Sequence, residues 1–301
     1  MSERTVETKA NGQWPIKTST NKRTPYEHQS EALENLNIID GLDSYSTLVV
    51  LPTGGGKTYT ASTWLLGHAL DRNKKILWIA HRKALLDQAA ESFKEYAFST
   101  TAPHISSFNF RIISGAKDHD RMINIEPTDD LLIVSKDSAG RNLQRLDRWL
   151  EGEDVIYLVV DEAHHSTART YRNVIDYVKE KVPNVKLIGL TATPTRTSES
   201  EKGLLAKIFS DGVKDKEVVR GDIGITYQVP LTELINRRIL SRPVFESRYT
   251  EMNYGEHLGL KALESIEQHD ELPPDIKEQI ASSAARNKLI VDTYLESEFW
   301  D

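Results

Sequence analysis

The stretch Leu48–Thr58, LVVLPTGGGKT, decides how this chain folds. An apolar run that meets three glycines and a Lys-Thr pair reads as a strand, a phosphate-cradling loop and the start of a helix. Gly54, Gly55 and Gly56 let the backbone turn tightly and present bare N–H groups to phosphate oxygens, because glycine enters positive φ without steric cost. Thr53 opens that loop. Lys57 is then placed to reach β- and γ-phosphates and the Thr58 hydroxyl to hold Mg²⁺, with the positive end of the following helix dipole facing the same charge. The strict motif has a glycine where this chain has Leu51, so the match is to the looser GxGKT spelling. The competing reading is a glycine-rich hairpin that happens to precede a lysine.

A second motif favours the phosphate loop. Asp161-Glu162-Ala163-His164 follows the apolar run Val155–Val160 directly. A buried strand ending in two adjacent carboxylates exposes both at the carboxyl edge of a sheet, where ligands bind in open α/β folds. One carboxylate is suited to a metal ion, the other to orienting and deprotonating a water.

Composition sets the outer limits. With 301 residues, 39% of them hydrophobic, the chain is long enough for one large domain, or one domain and part of another. A net charge of −7 removes any argument for nucleic-acid binding from bulk charge, although 38 Lys and Arg leave room for a local basic surface. The absence of cysteine excludes disulfides, thiolate zinc sites and cysteine nucleophiles. No apolar run approaches the roughly 18 residues of a membrane span, and the polar N-terminus has no signal-peptide core. The expectation is a soluble, cytoplasmic or otherwise intracellular protein without a membrane partner.

Outward from the glycine loop, residues 1–20 are polar and aperiodic and read as a flexible tail, with Trp14 the one residue suited to docking. In NKRTPYEHQSEALENL, Tyr26, Ala32, Leu33 and Leu36 fall at near-helical spacing, and spacing alone makes Gln29 a solvated helix residue. Helices are expected over Thr60–Leu70, His81–Tyr96, Asp137–Leu150 and Ala168–Lys181. Strands are expected over Lys75–Ala80, Phe110–Ser114, Leu131–Ser135 and Val185–Leu190. His81-Arg82, at a strand-to-helix junction, reads equally as a phosphate contact or a solvated helix start. His119, between Asp118 and Asp120, has the look of a metal ligand, but a surface loop is the stronger reading. Strands alternating with helices imply a parallel sheet covered by helices on both faces. Past this region, residues 222–249 read as strand, helix, strand. Polar helix formers and a Pro273-Pro274 break follow, and Ala284–Trp300 places Leu289, Ile290, Tyr294 and Leu295 on one helical face.

Taken in order, TPYEHQ ending at Gln29, LPTGGGKT, AHRKALLDQ at 80–88, DEAHH at 161–165 and LTATPTR at 190–196 resemble superfamily 2 helicases and translocases. The doubled histidine and STARTYRNVIDYV after it look most like the branch of the type III restriction-enzyme motor subunit. The resemblance covers roughly residues 24–245, and extends partly to 295. It implies an α/β, RecA-like three-layer sandwich with a mostly parallel sheet over residues 21–245. A helical extension over 246–301 then acts as linker and truncated start of a second such domain.

The same resemblance assigns roles. Tyr26 and Gln29 recognise adenine, Lys57 grips the β,γ-phosphates, Thr58 and Asp161 hold Mg²⁺, and Glu162 polarises the attacking water. His164 couples the site to Thr191 and Thr193, while His81, Arg82, Ser114, Gly115 and Ser135 meet the DNA or RNA backbone. His165 has no assigned role and reads as a packed or capping residue. Arginines reaching across from a second domain, in cis or from a partner subunit, complete the family's site. The implied function is a nucleic-acid-dependent ATPase motor. The alternatives are a nucleotide-dependent switch or assembly module and, less consistent with DEAH beside TATP, an unrelated small-substrate ATPase or kinase.

Overall fold

The apolar runs become the strands of one sheet, and the segments with helical period pack on its two faces. In the computed structural model the described residues are 10–193, 199–221, 223–242 and 274–296. Two compact units divide at residues 241 and 242.

The first unit contains β1 (Asn11–Pro15), α1 (Glu27–Ile39), β2 (Tyr45–Val50), α2 (Lys57–His68), β3 (Lys75–Ala80), α3 (Lys83–Tyr96) and β4 (Ser107–Ile113). It continues through β5 (Leu131–Ser135), α4 (Lys136–Arg141), α5 (Asp147–Leu150), β6 (Val155–Asp161), α6 (Arg169–Lys181) and β7 (Asn184–Thr191). It closes with α7 (Glu199–Ile208), β8 (Asp211–Lys214), β9 (Glu217–Arg220), β10 (Ile225–Gln228) and α8 (Leu231–Asn236).

Eight strands form the sheet, in the order β1-β4-β5-β3-β6-β7-β2-β10. All pair in parallel except β1, which runs antiparallel to β4. This is the parallel sheet between two helical layers that the alternation of strands and helices implies, and the RecA-like fold that the family resemblance implies.

Period-two alternation divides each buried strand between two cores. Ile76, Trp78 and Ala80 of β3 join the cluster under α1, α2 and α3, whereas Leu77 and Ile79 join the one under α4 to α7. Trp64, Leu65 and Ala69, along and just after α2, are all buried. So are Tyr171, Val174, Ile175 and Val178 of α6.

Because the central strands are parallel, their carboxyl ends lie along one edge. That edge is divided. β4, β5 and β3 deliver Ser114-Gly115, Ser135 and His81-Arg82, and β6, β7 and β2 deliver Asp161-Glu162, Thr191–Thr193 and Thr53–Thr58.

Several expectations are corrected. Residues 11–15 of the supposed flexible tail are a strand, because Trp14 stacks on Phe110 at 3.4 Å between ring centroids and meets Phe108 edge-on at 5.8 Å. The helix expected over Asp137–Leu150 breaks at Asn142, which leaves helical geometry and donates its amide to the Ser138 carbonyl at 3.1 Å. Short helical turns follow it, and Leu146 and Leu150 still face inward. The β8–β9 hairpin was not foreseen. Of the strand, helix and strand expected over 222–249, β10 and α8 are present, and the last strand lies outside the described residues.

In the second unit the described part is α9 (Pro274–Ser282) and α10 (Ala284–Glu296). No residue of α10 is buried, and Ile290, Tyr294 and Leu295 are exposed. Among the described residues, no helix is long and apolar enough to cross a membrane.

Candidate nucleotide-binding site

The glycine loop between β2 and α2 takes the shape its composition demands. Gly54 and Gly56 sit at φ 82° and 87°, the left-handed region open to glycine. A Cβ on Gly56 would lie 2.3 Å from Nε2 of Gln29. Gly56 is also the N-cap of α2 and has no side chain to offer its first turn, so the N–H groups there are left for an incoming anion.

Beside this loop runs a cavity of about 410 Å³, lined by Thr53, Gly54, Gly56, Lys57, Thr58, Asp161 and Glu162. Two motifs separated by a hundred residues of sequence thus share one space. Lys57 Nζ is 3.9 Å from Glu162 Oε1 and 3.5 Å from the Leu51 carbonyl. Asp161 ends β6 with 2% exposure; its Oδ1 accepts the Glu162 N–H at 3.0 Å, and its Oδ2 is buried with no hydrogen-bond partner. Burial pushes the Asp161 carboxyl up to about 6 and the neighbouring Glu162 charge adds to it, against the Glu162 N–H, the Lys57 charge and the Trp78 indole N–H, which lies near but makes no hydrogen bond of ordinary geometry. A buried carboxylate oxygen without a donor is what a hard divalent cation satisfies, and Thr58, buried at the start of α2, supplies a hydroxyl in the same cavity. These residues fit a Mg²⁺-nucleotide. Glu162 holds φ 53°, a conformation rare outside glycine, at the point where β6 gives way to the short helical turn at Ala163–His165.

Gln29 is not solvated. It is 1% exposed, with Oε1 accepting the Tyr26 N–H at 3.0 Å and Nε2 donating to the Gly55 carbonyl at 3.1 Å. The loop folds over the first turn of α1, which is why helical spacing alone misplaced this residue. His28, which sequence reasoning passed over, is fully buried with Nε2 2.8 Å from the same carbonyl. Tyr26 is exposed, its ring stacked near His28. Arg23 was also missed. It lines the cavity, lies 3.9 Å over the Tyr59 ring and hydrogen-bonds the Tyr96 hydroxyl. No local pattern marks it, because its partners come from α2 and α3.

The residues expected to couple the site, His164, Thr191 and Thr193, are brought together. His164 Nδ1 lies 3.1 Å from Thr191 Oγ1 and 3.4 Å from Glu162 Oε2, and Thr191 Oγ1 accepts the Thr193 N–H at 3.2 Å. His165, expected to be a packed or capping residue, is exposed instead, its ring 4.1 Å from that of His164 and 4.9 Å from that of His81. Burial, then the proximity of His165 and Arg82, lowers the His81 pKa.

On the other half of the edge, Arg82 is exposed and Ser135 caps α4, accepting the Ser138 N–H at 3.2 Å. His119 belongs to no metal-ligand cluster, since none exists among the described residues. It bridges Ser114 and Asp87 instead.

The family described as type III restriction enzyme, res subunit, matches residues 22–196, more than half of the chain. The ATP-dependent DNA helicase Hel308 of Methanocaldococcus jannaschii is 28% identical over 218 residues, which is 70% of this chain and 17% of that protein. The putative ATP-dependent helicase IRC3 of Saccharomyces cerevisiae is 28% identical over 258 residues, 83% of this chain and 32% of its own. The chain therefore spans less than a third of the length of these curated relatives. Among solved structures, the Hef helicase domain of Pyrococcus furiosus superposes with a TM-score of 0.46 at 24% identity, over 68% of this chain and 37% of that one. The family match over the motifs that build the cavity establishes that this chain belongs to the type III restriction enzyme res-subunit family, within the superfamily 2 helicases.

Proposed function

We propose that this chain is the ATP-binding motor domain of a helicase or translocase that couples ATP hydrolysis to movement on, or remodelling of, DNA or RNA. The observation that carries this reading is Asp161, buried with its Oδ2 unpartnered at the cavity beside the glycine loop that Lys57 and Thr58 also line. Lys57 and the N–H groups of residues 54–58 bind the β,γ-phosphates, and Thr58 and Asp161 hold the metal. When bound, Mg²⁺ would supply positive charge that offsets the charge of the phosphates. Glu162 orients the attacking water and accepts its proton. His164 carries the state of Glu162 to Thr191 and Thr193 through the contacts already described. His81, Arg82, Ser114, Gly115 and Ser135, on the adjoining half of the sheet edge, meet the nucleic-acid backbone, and such contacts carry no sequence preference. Tyr26 and Gln29 face the base, and Gln29 additionally ties that end of the site to Gly55.

Separating phosphate grip from water activation tests the assignment. Lys57→Ala is expected to lose nucleotide binding, and Glu162→Gln to retain it while losing hydrolysis. Titration with a fluorescent ATP analogue, with folding confirmed by circular dichroism, reads both. Equal loss of affinity in the two variants contradicts the division of labour between Lys57 and Glu162.

A further inference from the structure

His119 lies outside the nucleotide site, yet its imidazole is held at both ends. Nδ1 is 2.8 Å from Ser114 Oγ and Nε2 is 2.8 Å from Asp87 Oδ1, with the side chain 4% exposed. Asp87 comes from α3, immediately after the His81-Arg82 junction, so the relay joins two separate contact loops of the sheet edge. Ser114 Oγ also accepts the Ala116 N–H at 3.1 Å. In a hydrolytic Ser-His-Asp triad Nε2 faces the serine and Nδ1 the carboxylate. Here the ring is reversed and the serine oxygen is engaged by its own loop, so the arrangement serves a hydrogen bond and not a nucleophile.

Ser114 and His119 both line a cavity of about 520 Å³ that Lys117, Arg121, Arg145, Ser138 and Asn142 also border. Three cations and several hydroxyl or amide donors suit a tetrahedral oxyanion. With neutral His119, Nε2–H donates to Asp87 and Nδ1 accepts the Ser114 hydrogen, so that hydrogen points inward. With protonated His119, Nδ1–H donates to Ser114 Oγ and the hydroxyl hydrogen is released to the cavity. The proton comes from solvent and no bond other than N–H is made. An anion in the cavity stabilises the second state through its charge and through the freed donor.

We propose that Ser114, His119 and Asp87 form a proton-linked site for one phosphodiester of a single-stranded nucleic acid, deepening the nucleic-acid reading above on which it rests. Facing His119 are Asp87 and Lys83 from α3, Asp118 and Lys117 from its own loop, and Arg121 and Arg145 across the cavity. Lys83 is salt-bridged to both Asp87 and Asp118, which leaves Asp87 Oδ1 for His119. Linkage is reciprocal: binding raises proton affinity at His119, and protonation tightens binding.

The test is fluorescence anisotropy of a labelled oligothymidylate on the full 301-residue chain at constant ionic strength, between about pH 8 and pH 6. The parent is expected to tighten roughly three- to tenfold toward acid, within the tenfold-per-unit limit for one proton. His119→Gln and Ser114→Ala, checked for folding by thermal melting, are expected to flatten that dependence. Asp87→Asn weakens it without abolishing binding. In parallel, the His119 ring resonance, assigned by its loss in His119→Gln, is expected to shift when the oligonucleotide is added at pH 6. An unchanged pH slope in His119→Gln overturns the relay while leaving nucleic-acid binding intact. No binding by the parent at any pH overturns both. If inorganic phosphate at equal ionic strength shifts the resonance as far, the site belongs to free phosphate and the proposal fails.

Discussion

A carboxylate buried with one oxygen unpaired destabilises the fold that carries it, and Asp161 is in that position. Its folded pKa of about 6 lies above the ordinary value of 3.8, so the folded state holds this proton more tightly than the unfolded one. Stability contributed by this group therefore rises as pH falls from about 6 toward about 4, and is lowest above 6. Replacing Asp161 with Asn is expected to stabilise the nucleotide-free protein at pH 7.5 by about 1–2 kcal/mol, an advantage that shrinks at pH 5. Urea melts of the two proteins at both pH values check this, and an advantage that grows toward acid contradicts it. The same variant is expected to lose Mg²⁺-dependent nucleotide binding. The Arg111 pair with Asp120 behaves in the opposite sense. Burial raises the Asp120 pKa, but hydrogen bonds from Asn124, the Arg121 N–H and Arg111 outweigh it and hold the carboxyl below its usual range. That contribution is present above the unfolded value and is lost as pH falls through the folded one. Asp161 and Glu162 were legible in the sequence because chemistry fixes residue types at the end of a strand. His28 and Arg23 were not, because their roles arise from residues brought near only by folding.

At the scale of elements, β7 shows how closely the sheet and its helices fit. A Cβ on Gly189 would lie 2.6 Å from Leu48 and 2.7 Å from both Ala163 and Phe209. Gly189→Ala is therefore expected to destabilise the protein by about 1–3 kcal/mol through overpacking, read as a lower urea midpoint at unchanged slope. A midpoint equal to that of the parent would mean that the turn after Asp161 shifts at no expense. The central strands were visible in the sequence because burial on both faces gives uninterrupted runs such as KILWIA and VIYLVV. β1 was not, since its signal is a single buried aromatic in an otherwise exposed strand, supported by pairing with residues almost a hundred positions away. The break at Asn142 escaped notice for a different reason: the leucines on either side keep a helical spacing although the backbone between them does not.

For the whole molecule, turnover depends on cations around the γ-phosphate. Among the described residues lining the nucleotide cavity the cations are Lys57 and Arg23, and Arg23 is already engaged by Tyr59 and Tyr96. An arginine finger contributes about 10³–10⁵ in rate. On the proposed function, the 301-residue chain is therefore expected to bind Mg·ATP but hydrolyse it slowly, and to gain hundreds-fold or more in rate when an arginine is brought to the γ-phosphate by an added RecA-like domain. Steady-state ATPase assays with and without DNA or RNA decide this; vigorous stimulated turnover lost in Glu162→Gln contradicts it. The strand order carries a separate consequence for anyone dissecting the protein. The family match ends at residues 22 and 196, whereas the outermost strands of the sheet, β1 and β10, lie at 11–15 and 225–228. A fragment cut at the family limits would bare the backbone of β4 on one side and β2 on the other, two apolar open edges that recruit further chains. Such a fragment is expected to precipitate or form polydisperse particles by light scattering, while one spanning residues 10–241 remains monodisperse. Sequence kinship marks where the chemistry is kept, and the smallest piece able to stay in solution is larger.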